Sequence, residues 1–143
     1  MLIHVQPDKV SEYWDFFAGV FEQSLPPIVL SSDRGISALL QAILLEVVQV
    51  WVYENKEKGV MYIATTVPYI DPVFGTRSLM IYTFTSVREL SKTVMLDSYE
   101  TLKKFAKAND FDNIIAFTEN KGIIKIVNSL GGITKNTVVE LPV

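Results

Sequence analysis

The spacing of apolar residues changes its period along the chain, and each change marks a new element. Ile3 and Val5 give a weak β-type alternation that Pro7 ends, so a first strand is expected over Met1 to Gln6. Asp8 offers a carboxylate to a helix start, and Val10, Trp14, Phe17 and Phe21 then recur at steps of four, three and four. That is one apolar stripe of a helix, which Pro26-Pro27 stops. Ser31, Ser32 and Asp33 can cap a second helix beginning near Gly35, with Ile36, Leu39, Leu40, Ile43 and Leu44 as its apolar positions. Around Glu46 the pattern becomes β-branched (Val47, Val48, Val50, Val52). The polar run Glu54 to Gly59 between two β-rich stretches predicts a hairpin over Gln49 to Val67. Pro68 to Arg77 reads as a loop or splayed connection.

The stretch Ser78 to Gly132 organises the rest. Leu79 to Val87 is a strand that is apolar on both faces, as expected beneath helices on both sides. Leu79, Ile81, Thr83 and Thr85 share one face, and Met80, Tyr82 and Phe84 share the other. Ser86 to Glu89 has capping-box spacing and predicts a long helix from about Glu89 to Ala108, with Leu90, Val94, Leu102, Phe105 and Ala106 facing inward. The apolar run Ile114 to Phe117 predicts a buried strand within Asn113 to Glu119. Asn120 opens a helix that carries Ile123, Ile124, Ile126, Val127 and Leu130, and Ile133 to Leu141 closes the chain as a strand. The expected fold is α/β (α+β), of order β-α-α-β-β-β-α-β-α-β: a mixed, mostly antiparallel sheet of about six strands with helices on both faces. No repeat or linker divides residues 1–143, so one domain is expected.

Composition narrows the function classes. With 49% hydrophobic and 20% charged residues, 143 residues suffice for one core burying about 70% of the unfolded surface. A net charge of −3 gives no general attraction to phosphate backbones, and no nucleic-acid partner is expected. The absence of cysteine removes disulfides and thiolate chemistry, and a lone histidine, His4, removes any multi-histidine metal site. The run Ile36 to Val52 is interrupted by Gln41, Glu46 and Gln49 and is too short to span a membrane. The first residues lack the pattern of a signal peptide, so a cytoplasmic or virion-associated protein is expected.

The order of elements, together with Asn120 to Gly132, resembles the GNAT superfamily of acetyl-CoA-dependent N-acyltransferases. Its pattern N-x-x-A-x-x-F-Y-x-K-x-G-F is matched by Asn120, by Ile126 at the aromatic, and by Leu130-Gly131 before the last strand. The resemblance implies a general-acid tyrosine on this helix, where Val127 stands and cannot donate a proton. It also implies a glycine-rich phosphate loop about thirty residues before Asn120, where Leu90, Ser91, Lys92, Thr93, Val94 and Met95 contain no glycine. Glycine admits close approach and left-handed backbone that costs other residues about 1–2 kcal/mol. Helix continuing from Ser86 would also consume the amides a diphosphate needs. The site at Lys92, Thr93, Val94 and Met95 is therefore expected to be degenerate, with no cofactor bound. Similar GNAT-like proteins with an eroded loop occur in tailed phages, including internal virion components.

Candidate chemistry remains. Glu46, Asp71 and Glu119 are possible general bases, and Tyr62, Tyr69 and Tyr82 possible acids; each also has a structural reading as a strand-end charge, a turn former before Pro72, or a half-buried strand residue. The aromatics Tyr13, Trp14, Phe16 and Phe17 read as packing. Lys103, Lys104 and Lys107, interleaved with Glu100, read as a solvated helix face. Tyr69, Ile70, Val73 and Phe74 are many apolar residues for a loop, which either folds over its own core or suits a protein interface or self-association. Three functions follow: a GNAT-like structural or interaction module that has lost acetyl-CoA, a divergent acetyl-CoA-dependent N-acyltransferase, and an inhibitor-type binder of a host protein.

Overall fold

A computed structural model describes residues 1–25, 35–116, 118, 121–134, 139 and 141–143. Strand β1 (Leu2–Val5) leads into helix α1 (Pro7–Glu12) and, after a break at Tyr13, into α2 (Trp14–Ser24); helix α3 is Gly35–Leu44. Pro7 occupies the first turn of α1, where its missing N–H costs nothing, and the cap position is Gln6 rather than Asp8. Three strands follow, β2 (Gln49–Asn55), β3 (Gly59–Ile70) and β4 (Arg77–Ser86), then helix α4 (Lys92–Ala108), strand β5 (Asn113–Ala116) and helix α5 (Lys121–Ser129).

The sheet has five strands in the order β1-β2-β3-β4-β5. Three junctions are antiparallel and the last, β4 with β5, is parallel. The expected count of about six is thus corrected to five. The residues expected in a final strand fall partly outside the described residues, and Ile133, Thr134, Val139 and Leu141 are not in a strand.

Two cores cover the two faces. Val10, Phe17, Phe21, Leu39 and Ile43 from α1–α3 pack with Val50, Val52 and Ile63 on one face, so the helical stripe read from the sequence is core. Val94, Leu102 and Ala106 from α4 pack with Leu2, Trp51, Tyr62, Ala64 and Leu79 on the other. Full burial of each large side chain stabilises by about 1.5–3 kcal/mol. The indole of Trp51 reaches a partner inside this core, donating to Thr66 Oγ1 at 2.9 Å, and Thr66 donates in turn to Gln49 Oε1 at 2.9 Å. His4 stacks on Trp51 at 4.7 Å and meets the edge of Phe105 at 5.7 Å, so it is a packing residue beneath α4. Burial holds its pKa below the usual histidine value, against the opposing pull of Glu46.

Two bulges break the regular ladders. The β3–β4 register passes from Thr66↔Ile81 to Thr65↔Thr83, which leaves Tyr82 as an extra residue in β4. The β2–β3 register passes from Tyr53↔Tyr62 to Glu54↔Val60, which leaves Met61 extra in β3. A one-residue insertion exchanges faces. Phe84 therefore packs with Leu79 and Ile81 on the α4 side, and Tyr82 packs on the α1–α3 side, correcting the strict alternation expected for β4.

Candidate functional site

The second half of β4 begins at the bulge at Tyr82, and the space on its β5 side is here called the gap. Among the described residues, pairing between β4 and β5 runs from Ser78↔Asn113 to Ile81↔Ala116. A bulge adds twist and bends its strand, and this one sits at the residue after the last parallel pair. The edge of β4 from Tyr82 to Ser86 lies beyond the described β4–β5 pairs. Thr83 turns its N–H toward β3, donating to Thr65 Oγ1 at 3.1 Å, and the Val87 N–H reaches Met61 O at 2.9 Å. Strand alternation then leaves the N–H and C=O of Phe84 facing the gap.

The floor of this region is tied down by side chains. Thr65 and Thr83 hydroxyls share a buried hydrogen bond of 2.6 Å, whereas the buried Thr85 hydroxyl has no partner. Tyr62 donates to Ser98 Oγ, which donates to Val94 O at 2.7 Å, so one chain of bonds pins α4 to β3. Burial, with the Ser98 bond working against it, pushes the Tyr62 hydroxyl up to about 12. A phenol so held is a core residue and a poor proton donor at neutral pH.

The segment after β4 corrects the expected helix start. Residues 87–91 are irregular, and α4 begins at Lys92, where Ser91 Oγ accepts from Val94 N at 3.2 Å. The capping box at Ser86 and Glu89 is not formed: Ser86 Oγ donates to Arg88 O instead. The bulged Met61 carbonyl accepts from both Val87 and Arg88, which fixes the loop and keeps it out of the helix. Of the residues at the phosphate-loop position, Leu90 and Ser91 are irregular, whereas Lys92 to Met95 are the first turn of α4, so the helix starts later than expected but does take in the site at Lys92 to Met95.

The fit of this corner to an anion can be judged from its backbone. No residue from 87 to 95 has a positive φ, so the loop avoids the conformations that would demand glycine. Lys92 and Thr93 are exposed and lie in the first turn, where N–H groups have no intrahelical acceptor. Val94 is buried and its N–H is taken by Ser91; Met95 is half-buried and its N–H is bonded to Ser91 O. Two open amides and one ammonium suit a phosphate, with fewer donors than a glycine-rich loop provides.

The remaining residues named from the sequence are dispersed. Tyr82, half-buried, stands at the bulge beside the gap. Asp71 lies at the other end of β4, where its Oδ1 accepts from Val73 N at 2.9 Å and Phe74 N at 2.7 Å, as a turn former does. Glu46 is exposed after α3 with φ of 59°. Glu119 and Asn120 lie outside the described residues. Tyr69, Ile70, Val73 and Phe74 are exposed rather than folded over the core. Lys103 pairs with Glu100 at 2.6 Å on the surface of α4. No group of acidic or histidine residues able to hold a metal occurs among the described residues, and no helix there is long and apolar enough to cross a membrane. Sequence reasoning missed both bulges, which depend on cross-strand register.

Solved structures share this architecture over nearly the entire chain. AAC(6')-Iy in complex with the bisubstrate analogue CoA-S-monomethyl-acetylneamine superposes with a TM-score of 0.72 at 14% identity, covering 99% of this chain and 96% of that one. An aminoglycoside acetyltransferase from an uncultured soil metagenomic sample gives 0.71 at 10% identity, covering 100% and 97%. A predicted acetyltransferase with acetyl-CoA from Clostridium acetobutylicum gives 0.67 at 12%, covering 99% and 95%. No family model matches the sequence, and no curated protein matches it. At these identities the likeness establishes the fold, which is that of the GNAT acetyltransferases.

Proposed function

We propose that the protein is a divergent N-acyltransferase that moves an acyl group from an acyl-coenzyme A thioester to an amine. The observation that carries this reading is the irregular loop after β4 that leads to an open helix start at Lys92, beside a β4 edge whose pairing with β5, among the described residues, reaches Ile81. A donor of this class is a long amide-bearing arm ending in a diphosphate. The arm suits that strand edge, where Phe84 offers N–H and C=O as it would to another strand. The diphosphate suits the Lys92 and Thr93 amides and the Lys92 ammonium. The fold of donor-bound neighbours supports the reading.

The donor supplies an activated carbonyl; the chain holds it and moves protons. The amine nitrogen forms the C–N bond as the C–S bond breaks, the nitrogen loses a proton, and the departing sulfur gains one. Tyr82 is the described hydroxyl beside the gap and is assigned the proton to sulfur. Asp71 acts as a turn former at the opposite end of β4, and Glu119 is the carboxylate to test as base.

Millimolar acetyl-CoA should raise the melting temperature, since a ligand at 100 times its Kd adds about 2.7 kcal/mol, and mass spectrometry of an amine panel should show acylated products. No shift and no product would overturn the proposal. They would favour the second reading, an interaction module without cofactor such as a virion component, which the glycine-free loop and the committed amides of Val87 and Arg88 support.

A further inference from the structure

The end of the sheet opposite the gap carries an apolar surface that acyl transfer does not use. Gln49, the first residue of β2, pairs with Thr66, so β3 overhangs it from Val67 to Ile70, about 13 Å at 3.3 Å per residue. The hairpin tip beyond is tied, not slack: Asp71 Oδ1 holds the Val73 and Phe74 amides, Asp71 N–H reaches Thr76 O at 2.9 Å, and Gly75 N–H reaches Asp71 O at 2.9 Å. Gly75 takes the left-handed φ of 72° that this turn requires. Val73 and Phe74 are thereby held out in water at 79% and 86% exposure.

At the foot of the overhang, the turn from α3 to β2 presents Leu45, 70% exposed, and Val47. It too is fixed, by Val47 and Val48 N–H groups that both reach Ala42 O. Strand alternation places Tyr69 on the side of Val67, which packs with the α1–α3 core, so Tyr69 rises beside α3. Leu45 and Val47 on this turn and Tyr69 and Phe74 on the hairpin are exposed apolar residues of this end of the sheet, here called the ledge. The rim on these turns is acidic, Glu46 and Asp71; at the sheet edge beside the base of the hairpin, Asp112 Oδ2 accepts from Arg77 N at 2.9 Å. Arg77, the cation closest in the chain to the tip, is folded over the Phe111 ring at 5.1 Å.

We propose that this ledge docks a basic amphipathic segment of a partner protein. Rigid exposed apolar residues supply the contact, and the acidic rim selects and steers a lysine- or arginine-flanked apolar face. A second copy of the chain is disfavoured, because two acidic rims would face each other.

The probe is a fluorescein-labelled amphipathic peptide of leucine and lysine, with a leucine–glutamate peptide of the same pattern as its counterpart, at about 0.15 M salt. Anisotropy should show the basic peptide binding at least about tenfold tighter than the acidic one. Tyr69→Ser and Phe74→Ser should each weaken it about tenfold or more, equivalent to about 1.4 kcal/mol. Phe74 is 86% exposed, so Phe74→Ser should not change the melting temperature. Glu57→Lys, in the β2–β3 turn at the opposite end, should leave binding unchanged. Equal binding of the two peptides, or no effect of Phe74→Ser, overturns the proposal. So does a dimer in sedimentation, or binding to anionic vesicles, that Phe74→Ser abolishes, since the occupant would then be a second copy or a membrane.

Discussion

Replacing Lys92 by proline separates the backbone contribution at the α4 start from the charge of the side chain. Lys92 is the first residue of the helix, where proline keeps helical geometry and deletes only an N–H that has no intrahelical acceptor. The preceding Ser91 has φ of −84° and ψ of 162°, the extended conformation that a residue before proline prefers. The fold should therefore survive, and Ser91 should go on capping Val94. Lys92→Gln removes the ammonium and keeps the N–H, so the two variants bracket the effect. Loss of an exposed ion pair costs about 0.2–1 kcal/mol. Loss of a hydrogen bond to a charged phosphate costs about 1.5–3 kcal/mol. Calorimetric titration with coenzyme A should thus show Lys92→Gln weakened by at most about fivefold, and Lys92→Pro weakened a further 10- to 150-fold or so at 1.4 kcal/mol per decade. If both variants bind alike, the helix amide does not contact the ligand and the assignment of this corner fails.

Further outcomes test the surrounding frame. Ser98→Ala should destabilise by about 1–3 kcal/mol in urea unfolding because it strands the buried Tyr62 hydroxyl, whereas Tyr62→Phe should cost only about 0.5–1.5 kcal/mol; the reverse order would refute the pinning role. The Tyr62 proton is held to about 12 in the folded chain against an ordinary value of 10.0. The unfolded state therefore releases it first, and stability should fall by up to about 1.4 kcal/mol per pH unit across that window; the wild-type minus Tyr62→Phe difference in unfolding free energy isolates the slope. Thr85→Val should be neutral or stabilising in thermal unfolding, since it removes a buried hydroxyl with no partner, whereas Thr83→Val should cost about 0.5–1.5 kcal/mol by deleting the bond between the two hydroxyls while Thr65 Oγ1 keeps the Thr83 N–H. Gly132→Ala should cost about 1–3 kcal/mol, because a Cβ there would lie 2.4 Å from the Val127 side chain and 2.8 Å from its carbonyl oxygen; an unchanged denaturation midpoint would mean that the end of α5 gives way.

Elements defined by their own apolar period were legible in the sequence. The stripe Val10, Phe17, Phe21, the helix from Gly35 and the hairpin from Gln49 appear where the pattern put them, because each buries one continuous face. The boundaries that failed depend on partners far along the chain. The hairpin extends through Pro68 to Ile70 because Pro68 pairs with Leu79 and Ile70 with Arg77, which shortens the expected loop to a turn at Asp71–Thr76. The face assignment of Phe84 failed because no local signal marks Tyr82 as the inserted residue.

The start of α4 shows why the site was harder to read than the fold. Two serines compete as caps, Ser86 and Ser91, and local propensity favours the first because Glu89 completes a capping box with it. The winner is decided by Met61, whose bulged carbonyl takes the Val87 and Arg88 amides and commits those residues to following the sheet. Leu90 then packs against the α4-side core and Ser91 caps the helix instead. A nonlocal hydrogen bond thus replaces glycine as the reason the loop stays open. Its consequence is specific: the chain keeps a helix start able to meet an anion while giving up the first two amides of the loop. Any ligand held there should depend on Lys92 and Thr93 far more than on residues 87–91.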